Sequence, residues 1–550
     1  MKTVQYLKDS DNVILLEADD VQAKSNESEC DEPTSPDSDD QLMNALKQNG
    51  QKRQKEATTA YVWICAAMAA LGGVLFGYDV GIISGALVLL RCDFDLSKTE
   101  ESLTVSVMLI GAMIASLTGG FVIDAIGRRL AIIINAVIFV VGASILAASK
   151  TYGMLIFGRL IVGFGVSLSA IGECIYISEI SPPHRRGALV SLNEFGITVG
   201  FLLAYAINLA FINVDEGWRY MFGLSVVPAA IQGIVMIFLP PSPRYLLLKY
   251  HDTEAKEVLQ KLRGRLDVET ELDSIRGVII QEKTYSLFDI CRQAGGMRYR
   301  LFIAVSLVLL QQFTGQPNVL YYATTIFEQV GFSSDSSAAR VTLILGLTKV
   351  VSTVISLLLI DKAGRRRFLL FGATGMMLAI GAMGITLTDV GIPEKNETSC
   401  LISNITKNET GTGVELSALV RVVSLISLLL YVSCYAFSFG PVTWLILSEI
   451  FPVEFRGRAV AISTVANWGG NLIVSSTFLQ LLKSIGIAAT FLSYAFICLC
   501  SIAFIFTFVP ETKGRTLEDI GKELAEGGPS LKSRCAALRH KVRSNGKKET

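Results

Sequence analysis

Twelve apolar runs, each close to or longer than the roughly 20 residues that cross a bilayer, restrict this chain more than any other feature. They fall at about 61–87, 103–123, 130–149, 153–178, 188–211, 219–239, 300–327, 340–360, 368–388, 420–447, 458–482 and 488–509. Buried helices of a large soluble protein are usually shorter and more amphipathic. Charged residues make up 18% of the 550, below the roughly one quarter of a soluble domain. The reading is an all-α protein held in the lipid bilayer. Lys and Arg equal Asp and Glu at 49 each, so net charge supplies no case for a nucleic-acid partner.

Short loops rich in Lys and Arg stay cytoplasmic. "GRR" (127–129), "HRR" (184–186), "KAGRRR" (362–367) and "FRGR" (455–458) all follow even-numbered runs, which places both termini inside. The sequons at Asn396, Asn404 and Asn408 then fall together in an outer loop of about 389–418, where glycans are added. Five regions follow: a disordered cytoplasmic tail (1–58), a six-helix half (59–240), a charged linker with short helices (241–299), a second half (300–510) and a cytoplasmic tail (511–550). No cleavable signal peptide is expected. "DNVILL" near the N-terminus reads as an acidic dileucine sorting signal anchored by Asp11, Leu15 and Leu16, which implies a clathrin adaptor as partner and a location at the plasma membrane, endosomal membranes or both. Cys92 and Cys400 fall in outer loops, and a disulfide between them is left open.

The chain contains itself twice. "GGFVIDAIGRR" after run two is matched by "SLLLIDKAGRR" after run eight, and "SEISPPHRRG" by "SEIFPVEFRG" at the ends of runs four and ten. Asp124 and Arg128 thus correspond to Asp361 and Arg365, and Glu179 and Arg186 to Glu449 and Arg456. Acids at helix ends and arginines in adjoining loops form ion pairs at the membrane edge that hold the inner face in one state and break in another. Two repeated six-helix bundles suit a secondary transporter, with its substrate site near the midplane between them.

These motifs, with "PPSPR" (240–244) and "PETKG" (510–514), resemble the sugar porter family of the major facilitator superfamily over about residues 60–525. Within it, "SLNEFGITVG", "FTGQPNVLYYA" and the long sequon-bearing loop look like the glucose transporter class that includes members ten and twelve. The resemblance implies the major facilitator fold and sugar-binding roles for Gln311, Gln312 and Asn318, for Trp444 beneath the sugar ring, and for Asn467, Trp468 and Asn471. It implies an outer gate at Tyr321 and Tyr322, the first also beside the sugar. The residue types suit the cargo: amides donate and accept at once, and an indole stacks on a ring face. Gly315 and Pro317 interrupt run seven, as in broken helices that line cavities. Where the family's commoner members carry amides, this chain has Glu194 in run five and Lys349 in run eight. A charge deep in a membrane costs at least about 2.5–3.5 kcal/mol, so these two are expected to pair across the cavity in at least one state.

Away from their ends, the apolar runs hold three acids (Asp79, Glu173, Glu194) and two bases (Arg159, Lys349). Proton-coupled members of the family resemble this chain at "GYD", where Asp79 stands, and at Arg159, the implied partner. An adjacent arginine holds a carboxylate charged, and separation in apolar surroundings favours the protonated form; rocking between the halves would then couple proton to sugar. Glu173 reads as a helix-surface or vestibule residue. The function expected is alternating-access transport of a hexose-like sugar, glucose first, coupled to protons through Asp79. The alternatives are uncoupled facilitation with Asp79–Arg159 as a structural pair, and a sugar sensor that does not transport. No nucleotide loop, metal-ligand cluster or nucleophile–base set is present, so no enzyme activity, catalytic residue, metal or other cofactor is expected.

Overall fold

The computed structural model describes residues 8–9, 12–13, 59–281, 296–330, 335–388, 418–513 and 524. Asp11, Leu15, Leu16, Asn396, Cys400, Asn404 and Asn408 lie outside the described residues, as do the side chains of Asp361 and Arg456. Within the unit Met1–Ala57, Lys8–Asp9 pairs antiparallel with Asn12–Val13. Everything below concerns the unit Thr58–Thr550.

Among its described residues the unit is helical, and ten helices there are long and apolar enough to cross a membrane. Two features bring the crossings to twelve. The helix Val453–Phe508 has 56 residues, about 84 Å at 1.5 Å per residue, far beyond a hydrocarbon core of about 30 Å. It breaks at Gly486, whose φ of 81° and ψ of 167° are not helical, which yields spans 11 and 12. Span 7 is three short helices, Met297–Phe313, Gln316–Tyr321 and Ala323–Gln329. Its first break is at Gly315, where φ is 90° and a Cβ would lie 2.5 Å from the Tyr494 ring. Only glycine adopts that backbone without strain.

Spans 1 to 5 are Ala60–Asp93, Lys98–Ile126, Arg128–Ala147, Tyr152–Ile180 and Arg186–Phe211. Span 6 joins Gly217–Gly223 to Val226–Phe238. Spans 8, 9 and 10 are Asp335–Ala363, Arg365–Thr386 and the pair Ala418–Phe437 and Phe439–Ile450. Span 2 starts on a capping box, with Ser97 and Glu100 each accepting from the other's backbone N–H. The "EAKEVLQKLRG" stretch forms the helix Asp252–Arg263, which ends at Gly264 with φ at 65°.

In the first half the helices approach backbone to backbone at glycines. A Cβ on Gly163 of span 4 would sit 2.0 Å from the Met108 carbonyl oxygen of span 2, and one on Gly200 of span 5 would sit 2.1 Å from that of Val74 in span 1. Such close approach is how helices associate where lipid gives no hydrophobic drive. The halves meet along span 2 against span 11 and span 5 against span 8. Near the outer end Ser102 donates to the Ser476 carbonyl at 2.7 Å and Tyr205 to that of Leu320 at 3.1 Å.

Candidate functional site

The sequence repeat is repeated in space at the cytoplasmic helix ends. Arg128 reaches Glu179 at 3.1 Å as well as Asp124 at 3.0 Å. Arg365 in turn reaches Glu449 at 3.2 Å. In both halves the arginine of one motif therefore binds the glutamate of the other. Arg186 is exposed and enters none of these pairs; Glu179 also accepts from Ser242 of "PPSPR". Each arginine follows a glycine whose φ is near 90°, Gly127 or Gly364. "PETKG" matches Ser242's service in the other half, since Glu511 accepts from the Arg365 backbone N–H at 2.9 Å. All of these pairs lie within one half, so they brace each bundle rather than bolt the two together.

The sugar-binding candidates gather in the second half. Gln311 donates to the Tyr435 hydroxyl and the Phe439 carbonyl, both at 3.0 Å, and its own carbonyl oxygen has no partner. Gln312 donates to the Asn467 carbonyl oxygen at 2.5 Å. Asn471 donates to the Tyr321 hydroxyl at 3.2 Å and keeps an unpartnered oxygen. Trp468 is buried against Phe76 of span 1, ring centroids 5.9 Å apart, whereas Trp444 is half-buried. Spans 7 and 11 thus hold amide oxygens without donors, and spans 10 and 11 carry the indoles of Trp444 and Trp468. Asn318 also keeps an oxygen without a donor. It is fully buried and spends its N–H groups on the Tyr494 hydroxyl at 2.7 Å and the Val474 carbonyl at 3.2 Å, tying span 7 to spans 11 and 12.

Tyr321 and Tyr322 sit at the outer break of span 7, both buried. Tyr322 donates to the Ser475 carbonyl at 3.3 Å and packs on Phe478 at 5.1 Å between centroids. Tyr435 and Tyr494 were not among the residues singled out in the sequence. Their signal was slight, a phenol in the middle of an apolar run that needs a hydrogen-bond partner.

The intramembrane charges are buried in the first half. Asp79 is 1% exposed, and neither of its carboxylate oxygens has a hydrogen-bond partner. Arg159 is fully buried beside it, but its guanidinium donates to main-chain carbonyls, Asp79 and Thr104, at 3.3 Å each. The expected partner is therefore adjacent while the carboxylate itself stays unbound.

Glu173 corrects an expectation. It is fully buried rather than at a helix surface or vestibule, and accepts from Ser169 at 2.7 Å and Gln232 at 3.1 Å. A Cβ on Gly72 would lie 1.5 Å from its carboxylate, so spans 1, 4 and 6 close on it. Glu194, half-buried, and Lys349, 8% exposed, stand on spans 5 and 8 of opposite halves. They make no direct ion pair here; the Lys349 ammonium lies 3.5 Å from the centroid of the Phe201 ring instead.

Comparison with known proteins agrees with this layout. Facilitated glucose transporter member 12 of Mus musculus is 38% identical over 543 residues, covering 87% of each chain. Member 10 of Xenopus laevis is 40% identical over 518 residues, covering 84% of this chain and 92% of that one. Among solved structures, the xylose transporter XylE from E. coli in a partially occluded inward-open conformation superposes with a TM-score of 0.68. The two are 29% identical, over 83% of this chain and all of that one. The proton:xylose symporter XylE bound to 6-bromo-6-deoxy-D-glucose gives 0.67 at 29% identity, over 84% of this chain and 99% of that one. Residues 65–524 match the family described as "Sugar (and other) transporter", and the chain belongs to that family of membrane transporters in the major facilitator fold.

Proposed function

We propose that this sugar transporter carries a hexose-like sugar, glucose first, by alternating access and takes a proton with it on Asp79. The observation that carries the coupling is the Asp79 carboxylate, buried with both oxygens unpartnered while Arg159 beside it is engaged by carbonyls. A carboxylate in such a place is relieved either by a proton or by the swing of that guanidinium, and exchange between the two couples protonation to conformation. The relative named as a proton:xylose symporter supports the same reading. The sugar would bind the open amide oxygens of Gln311 and Asn471, with Gln312, Asn467, Trp444 and Trp468 around it. Plasma and endosomal membranes are the proposed location, with the sequons outside and an adaptor on the dileucine inside.

Uncoupled facilitation is the second reading. It is favoured by the guanidinium's grip on two main-chain carbonyls, which serves as a structural fastening of spans 1, 2 and 4, and by relatives named as facilitated transporters. Uptake of a panel of labelled sugars into proteoliposomes at two external pH values separates the readings. Under symport an inward proton gradient drives accumulation, and Asp79→Asn abolishes it while sparing sugar exchange. Uptake indifferent to pH, with no sugar-evoked inward current, would leave facilitation standing. No uptake of any sugar by a folded protein that still binds sugar would point to a sensor.

A further inference from the structure

Span 5 turns one stripe of side chains toward span 8. Glu194 and Phe201 are seven residues apart, two helical turns, so they share a face with about 10 Å of rise between them. Tyr205 continues the stripe one turn further out. Opposite it, Gly346 lets span 8 approach so closely that a Cβ there would be 2.7 Å from the Tyr205 ring. Three residues inward, Lys349 rests its ammonium on the face of Phe201. The contact between the halves on this side is therefore tight at Tyr205 and Gly346 and reaches inward to Lys349 and Phe201. Glu194 lies two turns beyond, half-buried, without a direct cationic contact.

A lysine in a membrane interior needs either water or a partner, and the facing stripe of span 5 carries two candidates. One is an aromatic face, which attracts a cation through its ring quadrupole; the other is the Glu194 carboxylate, two turns inward on the same helix face. The outer ends of the halves are joined here, by Ser102 to Ser476 and Tyr205 to Leu320.

We infer that Lys349 is a switch cation that perches on Phe201 when the inside is open and moves to Glu194 when the inner ends of spans 5 and 8 close. On Phe201 it leaves the Glu194 carboxylate exposed to the cavity, free to accept from sugar hydroxyls; on Glu194 it neutralises that charge as the cavity loses its inner water. Two residues of one helix face thus favour opposite states through one lysine. A ligand or substitution shifts such an equilibrium only by its different hold on the two states.

The inference rests on alternating access and not on proton coupling, so its test uses no gradient. Spin labels attached through ketone amino acids at positions 187 and 457, exposed glycines with open space around them, report inner-end separation by pulsed dipolar spectroscopy on the full chain in nanodiscs. Phe201→Leu is expected to shift the population toward short distances and Glu194→Gln toward long ones, each by threefold or more. Phe201→Trp, which keeps a ring face, is expected to reverse the effect of Leu. Glu194→Lys and Lys349→Glu each lose the short-distance population, and the double swap recovers it. Leu and Gln variants that shift the same way, or a double swap no better than either single, would overturn the switch. Loss of proton-driven uptake in Asp79→Asn bears on the coupling alone and leaves these distances unaffected as a test.

Discussion

The two halves descend from one pattern yet hold their polar groups in opposite ways. The first half seals charges inside: Asp79, Arg159 and Glu173 are buried within it, and its helices touch through glycines at backbone distance. The second half carries amides and phenols, strung on a span that breaks at Gly315 and again at Tyr322. A buried charge tolerates little movement of its surroundings, because a lost partner costs several kcal/mol. Amide networks exchange partners at about 1 kcal/mol each. On these magnitudes the first half is the costlier of the two to distort around its charges, and the second the easier.

The largest effect should come from overpacking the first half. Gly163→Ala or Gly200→Ala places a methyl about 2 Å from a carbonyl oxygen that has nowhere to go. Overpacking of this kind costs about 1–3 kcal/mol or more, and we expect loss of monodisperse protein on size-exclusion chromatography. Gly469→Ala in the second half meets nothing nearer than the Met113 sulfur at 4.0 Å and should elute as wild type. Equal behaviour of the two sets would remove the contrast.

The cytoplasmic braces come next. Arg128 and Glu179 are each 7% exposed, against 14% and 20% for Arg365 and Glu449. Breaking a buried pair costs about 3–5 kcal/mol and an exposed one about 0–1 kcal/mol. Arg128→Ala should therefore lower the melting temperature by more than Arg365→Ala. Thermal unfolding in detergent checks the order, and the reverse order would refute the graded picture.

How much of this could be read from the chain depends on what each signal reports. Span length and the two-fold motif repeat are one-dimensional, and they carried the architecture. The break in span 7 was also legible, because Gly315 and Pro317 disturb helical backbone by themselves. Which arginine meets Glu179 was not: the motifs named the acids and arginines of each helix end, and only helix packing brings Arg128 and Glu179, 51 residues apart, together. Glu173 misled for another reason. A helix apolar on every side has no polar stripe to show which way a lone carboxylate points. Lys349 was read toward Glu194, yet the Phe201 ring that holds it here looks in sequence like any lipid-facing phenylalanine.

The cargo-reading side should respond in affinity more than in stability. Gln311→Ala deletes the open carbonyl oxygen along with two donated hydrogen bonds. A sugar hydroxyl donating to that open oxygen is worth about 0.5–1.5 kcal/mol, so sugar binding should weaken roughly two- to tenfold, while loss of the two bonds to Tyr435 and Phe439 lowers the melting temperature modestly. Glucose-displaceable radioligand binding measures the first and unfolding the second. A large loss of stability with unchanged affinity would place Gln311 in the packing rather than in the sugar site.

The smallest effect is expected where the first half looks most charged. Glu173 accepts through one oxygen from Ser169 and Gln232, while its other oxygen, the Gln232 carbonyl oxygen and the Asn193 carbonyl oxygen all lack donors. A site made of acceptors gains when one of them becomes a donor. Glu173→Gln keeps the shape and supplies an amide N–H where the second carboxylate oxygen was, so the melting temperature should hold or rise slightly. Glu173→Ala removes the acceptor for both donors and leaves a void, costing about 2–4 kcal/mol. The same truncation vacates the space that a methyl on Gly72 would strike, so Gly72→Ala should be tolerated far better with Glu173→Ala than alone. A glutamine variant that unfolds as readily as the alanine one would mean that the negative charge itself holds spans 1, 4 and 6, and the first half would then be costly to distort because of its charges rather than around them.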